Sequence, residues 1–140
     1  MRAYPNIPLE KVRGKKPTWW RVTSPVMCYD TDGSRYVIPA GFVSNFASIP
    51  RILFLFFAPH GLSAIPSIKH DYRYIHLIGV EKHGFWKARA AADRQYRLDL
   101  LAEGMPRACA WLMWAGVRVG GWYNWRKYLF IRAIELINSH

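Results

Sequence analysis

Apolar positions are distributed differently in the two halves of the chain. The first half carries short apolar runs broken by prolines and glycines, and the second carries longer segments that read as helices. Trp19 to Met27 has strand composition, with Trp19, Trp20, Val22, Thr23 and Val26. Asp30-Thr31-Asp32-Gly33-Ser34 is a turn signal, and Tyr36-Val37-Ile38 follows as a partner strand. The pattern predicts a β-hairpin closed by Pro39-Ala40-Gly41-Phe42. Residues 1–17, with Pro5, Pro8 and Pro17, read as an extended basic lead-in and residues 18–40 as β. Residues 41–62 read as irregular, because Pro50 and Pro59 bar a long helix.

Residues 63–140 read as helical. Ser63 can cap a first helix that carries Pro66 in its first turn, runs to Ile78 and ends at Gly79. Phe85 to Glu103 forms a second, stopped by Gly104. Pro106 opens a third, which runs to about Val119 before Gly120-Gly121. Asn124 can cap a fourth, Trp125 to Asn138. Strands first and helices after argue for an α+β fold rather than a parallel βαβ sheet. The expectation is one domain over residues 1–140: an N-terminal antiparallel hairpin or small sheet packed against a C-terminal bundle of about four helices.

Composition sharpens this picture. The 140 residues suit a single domain. A hydrophobic content of 51% excludes intrinsic disorder. Two cysteines, Cys28 and Cys109, exclude a disulfide-dense scaffold and read as buried thiols in a reducing compartment. Twenty Lys and Arg against nine Asp and Glu give a net charge of +11. That excess points to an anionic partner: nucleic acid, a phospholipid surface or an acidic protein. It divides as +4, +3 and +4 over residues 1–36, 37–104 and 105–140, so no polybasic arm exists. Met1 to Lys16 has no apolar stretch of the kind a secretory signal peptide requires. The longest apolar run, Ile52 to Ala58, is far below the ~20 residues of a membrane span, and Arg118 follows Ala108 to Val117. The expectation is a soluble or peripheral protein with no transmembrane span.

The chemistry concentrates in His70-Asp71-Tyr72-Arg73-Tyr74. His70 and Tyr74, four residues apart, share a helix face, and Asp71 lies about 100° round. On the second helix Arg89, Asp93, Tyr96 and Leu100 share a face. Antiparallel packing of the two helices would let His70 donate a ring N–H to Asp93. That bond fixes the tautomer and leaves the other nitrogen as a general base. Tyr74 can orient Asp93, and Asp71 can bind a hard cation or hold a loop. The same network can simply tie two helices together, and spacing leaves both open. Ser44, Asn45, Ser48 and Arg51 form a polar loop candidate near this site. Trp111, Trp114, Trp122 and Trp125, with Arg118, Arg126, Lys127 and Arg132 among them, suit a lipid headgroup interface, a single strand of nucleic acid, a protein interface, or plain core.

Gly41-Phe42, Ser44-Asn45-Phe46-Ala47-Ser48-Ile49-Pro50-Arg51, His70-Asp71-Tyr72 with Tyr74, Arg89 with Ala92-Asp93, and Val117-Arg118 with Gly121 together resemble a small uncharacterised family common in tailed phages and prophages. The resemblance covers about residues 19–121, and Asn45 stands where that family usually has Asp. It implies a phage or prophage origin; with the basic aromatic surface, the expectation is a virion or assembly component, made in the host cytoplasm, present in the virion after assembly, and docked on neighbouring subunits, phospholipid or packaged DNA, with a nucleic-acid or host-factor binding protein as a further alternative. A second resemblance, of His70-Asp71 with Tyr74 and a later Ala92-Asp93, is to phospholipase A-two cores. It implies a small hydrolase of lipid or cell-envelope substrates with His70 as base, Asp93 and Tyr74 as its orienting partners and calcium at Asp71. The glycine-rich calcium loop of those enzymes has no counterpart here; Phe57-Ala58-Pro59-His60-Gly61-Leu62 stands in its place.

Overall fold

A computed structural model of the chain describes residues 9–11, 20–44 and 64–139. The strands are β1 (Leu9–Lys11), β2 (Trp20–Val22), β3 (Val26–Tyr29), β4 (Arg35–Ile38) and β5 (Val43–Ser44). The segment expected as one strand from Trp19 to Met27 is broken into β2 and β3 by a bend at Thr23-Ser24. Pro25 follows that bend, and its missing N–H cannot extend a ladder. β2 becomes the centre of an antiparallel sheet, order β1-β2-β5, with Leu9 opposite Val22 and Trp20 opposite Ser44. β3 and β4 form the hairpin, with Val26 opposite Ile38 and Tyr29 opposite Arg35. Its turn is closed by Asp30 N donating to Ser34 O at 2.9 Å, and Gly33 takes φ +86°. Thus β1 lies within the residues expected as a plain lead-in, and β5 within those expected to be irregular.

Among the described residues five helices follow: α1 (Ala64–Ile75), α2 (Val80–His83), α3 (Phe85–Ala102), α4 (Arg107–Gly120) and α5 (Trp122–Asn138). The small antiparallel sheet and the helical second part make the fold α+β, as the pattern predicts. The first helix stops three residues earlier than expected. Leu77 adopts φ +51°, Ile78 N donates to Arg73 O at 2.9 Å and Leu77 N to Tyr74 O at 3.2 Å. This is a Schellman closure, with leucine where glycine is usual. The sequence pattern predicts a stop at Gly79 and no short α2 after it. The last helix begins at Trp122, straight after Gly121, so Asn124 sits inside it rather than capping it.

The main core joins the two layers. Val22, Val26, Cys28 and Ile38 from the strands meet Ile65, Ile68, Tyr96, Leu100, Met113 and Val117 from the helices. A second cluster gathers Tyr74, Ala88, Ala92 and Trp125. α1 lies at the centre, with ten of its twelve residues buried.

Candidate functional site

A central helix buried on nearly every side is ordinarily apolar. α1 instead buries Lys69, His70, Asp71 and Arg73. Charges removed from water must find partners, and the geometry shows where they go.

His70 and Asp93 meet as the helix faces predict. An ionised Asp93 can only accept, so His70 Nε2 carries the proton and donates to Asp93 Oδ1 at 2.6 Å. Tyr74 Oη donates to the same oxygen at 2.7 Å. Arg118 Nη1 donates to Oδ2 at 2.8 Å. Arg89 supports the pair from behind: Nε donates to Tyr74 Oη at 3.0 Å, and Nη2 to the carbonyls of Val117, at 3.0 Å, and Arg118. Burial would raise the Asp93 pKa, but the hydrogen bond and charge of His70, with Tyr74 and Arg89, outweigh it and hold the carboxyl below its usual range. Burial and the Asp93 charge push the Tyr74 hydroxyl upward, so it stays a donor. The His70 ring lies between Tyr74 and Tyr96, with centroids at 4.3 and 5.0 Å, and its side chain is 1% exposed. Gly121 completes the node. A Cβ there would stand 2.6 Å from Val117 O and 2.8 Å from Tyr74 Oη.

A second network lies on an adjacent face of α1, about 100° round from the first, and the sequence pattern does not predict it. Arg73 Nη1 donates to Asp30 Oδ2 at 2.9 Å and Nη2 to Asp32 Oδ2 at 2.8 Å. Lys69 Nζ lies 2.9 Å from both Asp30 Oδ1 and Asp99 Oδ2. Tyr36 Oη donates to Asp30 Oδ2 at 2.7 Å, while His83 and Lys82 hold Asp32. Burial would lower the Lys69 pKa, but Asp99 and Asp30 raise it. Partial burial would raise the Asp32 carboxyl, but Arg73, the Ser34 N–H and His83 hold it far below its usual range. The available signal was the basic pair Lys69 and Arg73, one turn apart on α1, with two aspartates in the hairpin turn.

Asp71 points elsewhere. It is 3% exposed, and Oδ1 has no hydrogen-bond partner among the described residues. Burial raises its carboxyl to about 6, against a hydrogen bond to Ser44 and the charge of His70, which lower it. Calcium takes six to eight oxygen ligands. Among the described residues no group of three or more His, Cys, Asp or Glu could hold a metal, and Asp71 is the one carboxylate found at the expected calcium position. Of the expected polar loop only Ser44 lies among the described residues; Asn45, Ser48 and Arg51 lie outside them. Burial pushes the free Cys28 thiol to about 11, which keeps it unreactive.

The expected aromatic and basic surface is divided. Trp125 belongs to the core, 0% exposed, with its Nε1 donating to Phe85 O at 3.2 Å. It lies on the inward side of α5, against Tyr74 and Phe85. Trp122, Arg126 and Lys127 line a groove of about 620 Å³ along α5 with Phe85, Leu129 and Phe130. Trp111, Trp114 and Arg118 line a separate cleft against α3. Arg132 is exposed on α5 outside both linings. No helix of the described residues is long and apolar enough to cross a membrane.

The family model described as "Protein of unknown function (DUF1353)" matches residues 20–117. The chain belongs to the DUF1353 family. The matched span takes in the sheet from β2 onward and α1 to α3, and ends in α4 at Val117, one residue before the arginine that grips Asp93. No curated protein and no solved structure matches the chain. The DUF1353 match therefore carries no activity to the buried His70–Asp93 node, and its chemistry rests on the geometry.

Proposed function

We propose that this chain is an assembly component of a tailed-phage particle, docking on an acidic, partly apolar protein neighbour through α5. One observation carries the reading. Of the 17 residues of α5 only Trp125 is buried, while Trp122, Tyr123, Leu129, Phe130, Ile131, Ile134, Leu136 and Ile137 are exposed. Isolated soluble domains rarely leave so much contiguous apolar surface in water, and a helix apolar on most sides is ordinarily buried in something larger. Arg126, Lys127 and Arg132 against the single acid Glu135 give α5 an excess of positive charge. A neighbour with carboxylates round an apolar seat complements it. The resemblance to tailed-phage proteins supplies the setting.

The test is mass spectrometry of purified particles from a strain that produces the phage, with Phe130→Glu and Ile134→Glu variants. The wild-type chain is expected at fixed copy number in the particle, and the variants are expected to be excluded while keeping the wild-type Tm. A chain missing from particles, or variants incorporated normally, overturns the proposal. A particle-independent homodimer, or binding to anionic vesicles that both variants abolish, would assign α5 to another occupant.

The hydrolase reading rests on the 2.6 Å His70–Asp93 pair. It is less supported, because a base must reach its substrate's proton and the His70 side chain is 1% exposed between two tyrosines. Calcium-dependent release of fatty acid from phospholipid vesicles by the wild-type chain, lost in His70→Ala, would establish it.

A further inference from the structure

We infer that the cleft between α3 and α4 binds single-stranded nucleic acid, with one base stacked at the Trp111–Arg97 pair and the adjoining phosphate held by Arg94 and Arg118. This site is separate from α5 and does not depend on the docking proposal.

The cleft follows from helix periodicity. Ala90, Arg94 and Arg97 fall at i, i+4 and i+7 on α3. Trp111, Trp114 and Arg118 fall at i, i+3 and i+7 on α4. Facing each other, the two stripes enclose about 280 Å³, near the lower bound of small-ligand pockets and suited to one nucleotide unit. Ala90 leaves room that a longer side chain would fill.

Two chemistries converge there. The first is stacking. The Arg97 guanidinium lies over the Trp111 ring, 4.1 Å from its centroid, and Trp114 sets its ring edge-on to Trp111 at 5.3 Å and 89°. Bases stack on aromatic rings and on guanidinium planes alike. Trp111 is half-exposed, so its ring is open to a ligand.

The second chemistry is charge. Three guanidiniums line the cleft and no carboxylate does. Arg94 and Arg97 have no carboxylate partner among the described residues. Arg118 is anchored by its bond to Asp93 Oδ2, yet its side chain remains 33% exposed. The bond to Asp93 fixes Arg118 in place and offsets its charge, so Arg94 and Arg97 are what leave the cleft positive. Guanidiniums pair with phosphate through two parallel bonds. An acidic peptide would meet the same charge, but it has no use for the stacking face beside it.

Fluorescence anisotropy of a labelled twelve-nucleotide oligo-dT, titrated with the full chain at two salt concentrations, tests the assignment. Binding is expected to weaken with salt, with a slope of about −0.7 per phosphate neutralised. Trp111→Ala and Arg94→Gln both alter exposed residues and are expected to weaken binding about tenfold. Arg94→Gln should also flatten the salt slope by about one phosphate. The control Arg126→Gln/Lys127→Gln removes as much charge or more outside the cleft and should change affinity less than the cleft variants. Equal loss in control and cleft variants would mean diffuse electrostatics and overturn the site. Unchanged binding in Trp111→Ala would do the same. Equal affinity for duplex DNA, or for a free mononucleotide, would overturn the single-strand assignment.

Discussion

Asp93→Asn is the most informative perturbation of the buried node. Asp93 is 0% exposed and accepts three hydrogen bonds, from His70, Tyr74 and Arg118, at 2.6 to 2.8 Å. Asparagine preserves the shape and one acceptor but removes the charge. Its amide group would then face the Arg118 guanidinium, donor against donor, and Arg89, 5% exposed, would lose its nearby countercharge. Breaking a buried pair from one side costs about 3–5 kcal/mol. The surviving oxygen places this variant near 3. With a urea m-value of roughly 2 kcal/mol/M, the unfolding midpoint should fall by about 1.5 M at neutral pH. The assay is equilibrium urea unfolding followed by tryptophan fluorescence and far-UV circular dichroism together. Because native Asp93 titrates below its unfolded value, its contribution is complete above about pH 4 and fades as the pH falls further. The gap between wild type and variant should therefore narrow in acid. A midpoint lowered by less than about 0.3 M, with an unchanged m-value, would refute the clamp. A residue kept for catalysis alone often gains stability when replaced, so the sign separates the two roles.

Three further outcomes follow from the same geometry. Asp71 has its carboxyl raised to about 6 by burial, so its stability cost is absent below about pH 4 and complete above pH 6. Asp71→Asn should be up to about 3 kcal/mol more stable than wild type near pH 7.5 and no more stable near pH 4; a pH-independent difference in urea midpoint would contradict this. Gly121→Ala forces a Cβ to 2.6 Å from Val117 O and 2.8 Å from Tyr74 Oη. A loss of about 1–3 kcal/mol, read as a Tm lowered by roughly 4–12 °C, is expected, and an unchanged Tm would show that the α4–α5 junction yields freely. Lys69→Met leaves Asp30 and Asp99 facing each other without the cation that sits 2.9 Å from both. It should cost about 3–5 kcal/mol, and Lys69→Met/Asp99→Leu should recover part of that loss. Additive losses in the double variant would remove the argument for coupling.

The sequence was most legible where one element supplies its own signal. Helix stops at glycines 104 and 121 follow from local chemistry, and the meeting of His70 with Asp93 follows from two helix faces and a short connection. Legibility failed where distant segments decide. Ser24-Pro25 reads as part of a strand until β2 is seen to pair with β1 and β5 rather than with β4. Leu77 carries the left-handed stop of α1 because its side chain packs on the Tyr74 cluster, which no local propensity announces. The second network stayed hidden because Asp30 and Asp32 already had a sufficient explanation as turn residues. Trp125 has the same aromatic and basic neighbourhood in sequence as Trp122, and only its packing on Tyr74 and Phe85 sets it apart.

The ties between the hairpin turn and the helices also set a timetable. Arg73 is 43 residues from Asp30 and 41 from Asp32, His83 is 51 from Asp32, and Gln95 is 64 from Thr31. At roughly 5–20 residues per second of synthesis, the aspartates precede Arg73 by about 2–8 s. During that interval β3 and β4 carry their turn without the cations that fix it. Long loops must then close before the reward arrives, which slows folding. The β3–β4 turn therefore gains the ion pairs that fix it only after α1 has been made, and its rigidity is tied to a segment some forty residues downstream.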